Sequence, residues 1–272
     1  MHRVSRLYIG LTVVCLSIAW QAPAVHSQDM TVYTTISVPV EGGASKPVGR
    51  SLTLFHAGKV YDYMEDAGEL VVFEPQASRF VIVSGNYAGT RVEYSELNQF
   101  LKVARNEMQT LLNTPEGDLG VRPDWLKFQL DPQFEESSGG ADRLTLSSPV
   151  MRYDVETAAA PEPACVERYL AYADMAAQLN FVLHPGSTFP DPRIALNATL
   201  RRQAVLPLSV ELTSTTDRPV RLRANHKFQW ELQSADKQHI HQWERLLESK
   251  QIRWVSFHEY QERLLADVRR AK

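Results

Sequence analysis

The sequence predicts an α+β fold: a curved antiparallel sheet, built as a meander plus hairpins and covered by several amphipathic helices. Three observations carry that expectation. Between residues 51 and 94, short runs rich in Val, Phe and Tyr are broken by Gly, Pro and acidic turns, the punctuation typical of strands. Between 219 and 233, apolar and polar residues alternate, so one face is buried and the other wet. Residues 95–114 repeat their apolar side chains at helical spacing.

The first 27 residues read as a secretory signal peptide rather than as fold. Arg3 and Arg6 form a positive start, Leu7 to Trp20 is apolar, and small residues follow. Cleavage is expected after Ala24 or Ser27, with Ser27 favoured. The apolar run falls short of the roughly 20 residues that span a bilayer. Thr12-Val13-Val14 before Cys15 is a poor lipidation signal. Residues 28–272 are expected to form a single α+β domain, with a candidate internal boundary near 115–124. The expected location is periplasmic or extracellular. Without the leader the sole cysteine is Cys165. An intrachain disulfide is then impossible, and burial alone must hold the core. Cys165, in a predicted helix, is expected to be a small buried hydrophobe rather than a reactive thiol.

Charge is uneven. Residues 28–192 carry 12 basic and 23 acidic side chains, net −11, whereas 193–272 carry 15 and 9, net +6. Such polarity can mark a partner surface. In an exported protein the expected partner is an anionic lipid, a glycan or another envelope protein, not nucleic acid. The plainer alternative is that the two ends complement each other.

In chain order, 30–40 alternates and predicts a first strand. Residues 41–50 read as a loop whose Gly43 and Gly49-Arg50-Ser51 nearly match a phosphate-binding loop. The spacing is one residue too long, Arg stands for Lys, and no helix follows, so no nucleotide is expected. The meander strands are expected at 51–57, 58–64, 69–75 and 79–84, with a fifth piece at 90–94. Their sheet is expected to bury one face, and Phe80 to Val83 reads as its most buried strand. Glu65, Asp66 and Glu69 flank a turn and are expected to be solvated.

Gly58-Lys59, the aromatics after it, and Val72-Phe73-Glu74-Pro75 before another apolar strand resemble the meander of LolA-like periplasmic lipoprotein carriers. The resemblance covers about a tenth of the chain. That family opens with a helix and continues with more sheet; this chain opens with a strand and inserts a helix. The resemblance implies a concave sheet closed by helices and an acyl-chain ligand. A broader likeness to exported bacterial proteins goes with it.

Ser95 is the expected N-cap of the helix over 95–114, and Leu97, Phe100, Leu101, Ala104, Met108, Leu111 and Leu112 its core stripe. Residues 125–135 and 143–157 are expected to pair as a hairpin closed near Ser137 to Gly140. A second helix is expected over 163–183, with Tyr169 and Tyr172 beside its inward face. A short third helix follows, with Asp191 as N-cap and Pro192 at its first position. Asn197-Ala198-Thr199 matches a glycosylation sequon and is read as coincidence. Residues 205–214 and 219–233 form the clearest hairpin. Arg221, Arg223 and Lys227 on its wet face are candidates for an anionic headgroup, or simply a solvated face. A helix at 235–249, a short strand at 252–257 and a helix at 258–270 complete the chain. His239 and His241, two apart on a helix, diverge by about 200° and cannot share an ion.

No residue earns a catalytic, cofactor-binding or metal assignment, and no cofactor is expected. Three function classes remain. The first is a non-enzymatic envelope protein binding an apolar or amphipathic ligand in a sheet–helix cavity. The second is a protein–protein interaction module of the envelope. The third is a hydrolase whose site is not visible in sequence. An enclosed pocket favours the first, and a carboxylate beside His56, His184 or His226 in a cleft favours the third.

Overall fold

A computed structural model describes residues 29–40, 44–113, 122–184, 187–215 and 219–270. The expected signal peptide, Gly43 and most of the 115–124 loop lie outside them. The fold is α+β. The chain opens with β1 (Met30–Val38), β2 (Lys46–His56), β3 (Lys59–Met64), β4 (Glu69–Glu74), β5 (Arg79–Val83) and β6 (Ala88–Glu93). Helices α1 (Tyr94–Leu112) and α2 (Pro123–Leu130) follow, then β7 (Glu135–Ser138), β8 (Arg143–Ser147) and β9 (Met151–Ala159). Next come α3 (Pro163–Leu183), α4 (Asp191–Gln203), β10 (Val205–Ser214) and β11 (Val220–Gln229). The chain closes with α5 (Ser234–Glu248), β12 (Arg253–Trp254) and α6 (Phe257–Arg270).

The twelve strands of the described residues join one open sheet in the order β12-β6-β5-β4-β3-β2-β1-β11-β10-β9-β8-β7. The meander arises from local turn chemistry. Between β2 and β3, Ala57 and Gly58 both take positive φ (49° and 78°), the two-residue hairpin geometry that glycine favours. The long-range step is β1 pairing with β11, which sets Val32 opposite Phe228 and Thr34 opposite His226. That pairing fuses the N-terminal meander to the C-terminal strands. Among the described residues every ladder is antiparallel except β12 on β6.

Phe80 of β5 and Tyr153 of β9 line one cavity. Seven strand steps separate them in the sheet order, roughly 34 Å if the sheet were flat. The sheet therefore curves, with α3 and α4 in its concavity. The main core fills this concave face: Phe55, Phe80, Ile82, Leu144 and Tyr153 meet Leu170, Leu179 and Leu196.

The convex face of the meander is also buried, contrary to the single buried face expected. Leu54, Tyr61, Val72 and Val81 pack with Ile240 of α5 and partly buried Trp243. This second layer explains why β4 and β5 read as apolar runs rather than alternating ones. Thr31 Oγ1 ties it down by donating to buried Asp236 Oδ2 at 3.0 Å.

Several boundaries differ from expectation. Residues 46–50 are strand, so Gly49 and Arg50 belong to β2 and not to a loop. The strand expected at 125–135 is instead α2, with Pro123 in its first turn. Leu126, Phe128 and Leu130 alternate over too few residues to separate the two periods. The hairpin is real but shorter, β7 pairing β8. The strand expected over 143–157 splits, because Ser148 caps a turn by accepting from Met151 N at 3.0 Å. The core stripe of α1 holds only at its start. Leu97 is fully buried, but Leu111 is exposed. The N-cap falls two residues early in α1, at Glu93 in place of Ser95, and one residue early in α4, at Pro190 in place of Asp191. Helix α3 matches its expected span, and Cys165 within it is buried.

Candidate functional site

Beneath α3 and α4 the concave face is not filled. A cavity of about 430 Å³ remains there, a size suited to a small ligand. Its wall is largely apolar, including Ile36, Val71, Phe80, Val210 and Leu212 from the sheet and Ala173, Ala176 and Ala177 from α3. The sheet period places Ile36 and Val38 on the side that continues outward, and both are more than a third exposed. The apolar lining thus runs on to the surface.

Polar side chains break this lining at two poles. The first stands on β3 and β4. Asp62 Oδ1 accepts from Thr53 Oγ1 at 2.8 Å, and Oδ2 accepts from the Tyr172 hydroxyl at 2.6 Å. Burial raises the Asp62 pKa, although its hydrogen bonds to Tyr172, Thr53 and Ser51 pull the other way. Glu69 is 3% exposed and lines the same cavity. Its Oε2 accepts from the Tyr260 hydroxyl of α6 at 2.8 Å, while Oε1 has no protein partner. Burial raises its pKa as well, against the Tyr260 hydrogen bond and the charge of His184. The expectation of a solvated acidic turn is therefore half wrong. Glu65 and Asp66 meet Arg50 at the surface, whereas Glu69 sits inside.

The second pole is built from β11, α3 and α4. Thr34 Oγ1 lies 3.0 Å from His226 Nδ1, and His226 Nε2 has no protein partner. Burial, helped by the positive charge of Arg193, pushes the His226 pKa down to about 3. The imidazole is thus neutral at pH 7. Arg193 lines the cavity from α4, and its charge beside Tyr169 partly offsets the burial that raises the phenol pKa. Its Nε donates to Asn197 Oδ1 at 3.1 Å, and Asn197 Nδ2 donates to Asp174 Oδ1 at 2.7 Å. Asn197 is fully buried by this work, which rules out the sequon as a glycan site in the folded chain.

The remaining sequence candidates lie elsewhere. His56 hydrogen-bonds Asp29 at 2.9 Å near the surface. His239 stacks on Trp243, 5.5 Å between centroids, on the convex side. Arg221 and Arg223 both clasp Glu211, so two charges of the basic triplet are already answered. Of the histidines weighed beside a carboxylate, His184 and His226 both share the cavity with Asp62 and Glu69. Among the described residues, no three His, Cys, Asp or Glu side chains gather as metal ligands, and no helix is long and apolar enough to cross a membrane.

Sequence reasoning gave Asp62 and Arg193 no role in a site, read Glu69 as solvated, and weighed His226 only beside a carboxylate. A signal existed for two of them. His226 interrupts the apolar face of β11, and Asp62 takes an inward position between Tyr61 and Tyr63. No family model matches the chain, and no curated protein matches it.

Proposed function

We propose that this is an exported, non-enzymatic envelope protein that binds an amphipathic, acyl-chain-bearing ligand in its sheet–helix cavity. The carrying observation is the 430 Å³ space itself, walled by aliphatic side chains and three α3 alanines. Close packing is the rule in protein interiors, and a void of this size forfeits dispersion contacts on every wall. Filling it with a chain of methylenes recovers roughly 0.8 kcal/mol per buried CH₂. The exposed Ile36 and Val38 extend the apolar track outward, as an entry path requires. The LolA-like resemblance of the meander and the signal-like first 27 residues point the same way.

Native mass spectrometry tests this on protein expressed with its leader and purified from the envelope. Extra mass in the lipid range, released by organic solvent, is the expected result. A bare monomer with no added mass, even after incubation with envelope lipid extract, would sink the proposal.

One observation favours a hydrolase as the second reading, because Glu69 and His184 share the cavity. Two features weigh against it. His226, with its pKa near 3, is a poor general base at neutral pH. Among the described residues no hydroxyl or thiol is hydrogen-bonded to His184, so an activated nucleophile is missing. Ester turnover abolished by His184→Ala would reverse this judgement.

A further inference from the structure

We propose that the ligand carries an oxyanion head, a carboxylate or a phosphate, and that Arg193 receives it with His226 Nε2–H and the Tyr169 hydroxyl as neutral donors. This rests on the cavity being a ligand site, and it adds which end of the ligand lies where.

The argument starts from charge. The chain holds more acidic than basic side chains. Its arginines generally find a carboxylate: Arg201 holds Glu167 and Asp174, Arg105 holds Asp191, and Arg221 and Arg223 share Glu211. Arg193 lines the cavity and forms no ion pair among the described residues. Its neighbours are neutral: the Asn197 amide oxygen, which accepts from Nε, and the Tyr169 hydroxyl. A guanidinium has five donors in a rigid fork. Two partners leave donors over, and an apolar wall cannot answer them. An anion is the chemistry that does.

The neighbours agree. His226 Nε2 is buried without a partner, and in the tautomer in which the Thr34 hydroxyl donates to Nδ1 it carries the proton and offers a donor. The Tyr169 hydroxyl stands beside Arg193 and can turn its own O–H to the same head. The pole therefore offers donors and no charged acceptor. Along the sheet, Glu69 is four strands from His226 and Asp62 three; the Asp62 charge reaches Tyr169, but both Asp62 oxygens are already held, by Thr53 and Tyr172. A head at Arg193 directs the tail along Ile36, Val210 and Leu212, which line the space between.

The test is calorimetric titration of delipidated full-length mature protein with four amphiphiles of one chain length: hexadecanoate, hexadecyl phosphate, hexadecanol and hexadecyltrimethylammonium. At least one anion is expected to bind tenfold or more tighter than the alcohol and the cation. Carboxylate above phosphate identifies a fatty-acid-like ligand; the reverse identifies a phospholipid-like one. Arg193→Gln is expected to bring the anion down to the affinity of the alcohol, leaving the alcohol unchanged, while Arg193→Lys keeps most of the preference. Equal binding of anion and alcohol to the natural protein, preference for the cation, or a Gln variant that weakens all four equally would overturn the proposal but leave a ligand site standing. If none of the four binds, the ligand-binding reading itself falls. The headgroup series on the natural protein decides the matter even if the Gln variant does not fold.

Discussion

The Tyr172 hydroxyl of α3 donates to Asp62 Oδ2 of β3 at 2.6 Å, tying the helical roof to the sheet floor across the cavity. Thr53 holds the other carboxylate oxygen. A carboxylate in such a place depends on its donors, since its hydration has been removed. Tyr172→Phe is expected to cost about 1–3 kcal/mol in urea unfolding. A double-mutant cycle with Asp62→Asn is expected to show coupling of about 1 kcal/mol or more; additivity within about 0.3 kcal/mol would mean the two do not act together.

Acid stability provides a second handle, because the two poles titrate in opposite senses. His226 falls from 6.5 to about 3 in the folded state. Between those values the unfolded chain binds a proton that the native chain refuses, so stability is lost as pH falls through that window, at up to about 1.4 kcal/mol per unit. Asp62 and Glu69 are raised, so the native state holds protons that the unfolded state releases, and their contribution is lost as pH rises above the ordinary carboxylate value. In urea midpoints at pH 4 and pH 7, His226→Gln is expected to narrow the loss at pH 4. Asp62→Asn is expected to raise the pH 7 value relative to pH 4. No change in either difference would mean these groups are solvated in the native state.

The meander was legible because each strand ends in its own turn chemistry, as Ala57-Gly58 does between β2 and β3. Helix α3 was legible because Pro163 opens it and its inward residues keep the helical period. What stayed hidden depended on contacts distant in sequence. Nothing local announces that Thr34 will face His226, 192 residues away, yet that pairing joins the two halves of the sheet. Leu126, Phe128 and Leu130 fit either period, and tertiary context made them helical. The site was hidden for the same reason. Arg193 on its helix looks like any surface arginine until the curved sheet closes beneath it.

Gly89 marks where the sheet edge admits its only parallel partner among the described strands. A Cβ there would stand 2.5 Å from Ile252 Cγ2 and 3.0 Å from Trp254 Cζ3. Trp254 is held from its other neighbour by Arg91, 3.8 Å from the ring centroid. Gly89→Ala therefore pushes β12 off β6, at about 1–3 kcal/mol by analogy with overpacked cores. Gly49→Ala is the control, since its Cβ would meet only Ile36 at 3.9 Å. Thermal unfolding is expected to drop for the first and hold within a degree or two for the second. Equal effects would show that loss of glycine, not the close approach, sets the outcome.

Three alanines of α3, Ala173, Ala176 and Ala177, keep the cavity open on its helical side. In a filled core a larger side chain at any of them would overpack, costing about 1–3 kcal/mol. In a void it gains contacts instead, and cavity-filling changes commonly add about 0.5–2 kcal/mol. Ala177→Phe is therefore expected to hold or raise the urea midpoint while cutting amphiphile affinity tenfold or more. The opposite signs are the discriminating feature, because a general loss of structure would lower both. A variant that is destabilised and yet binds as well as the natural protein would place the ligand away from α3.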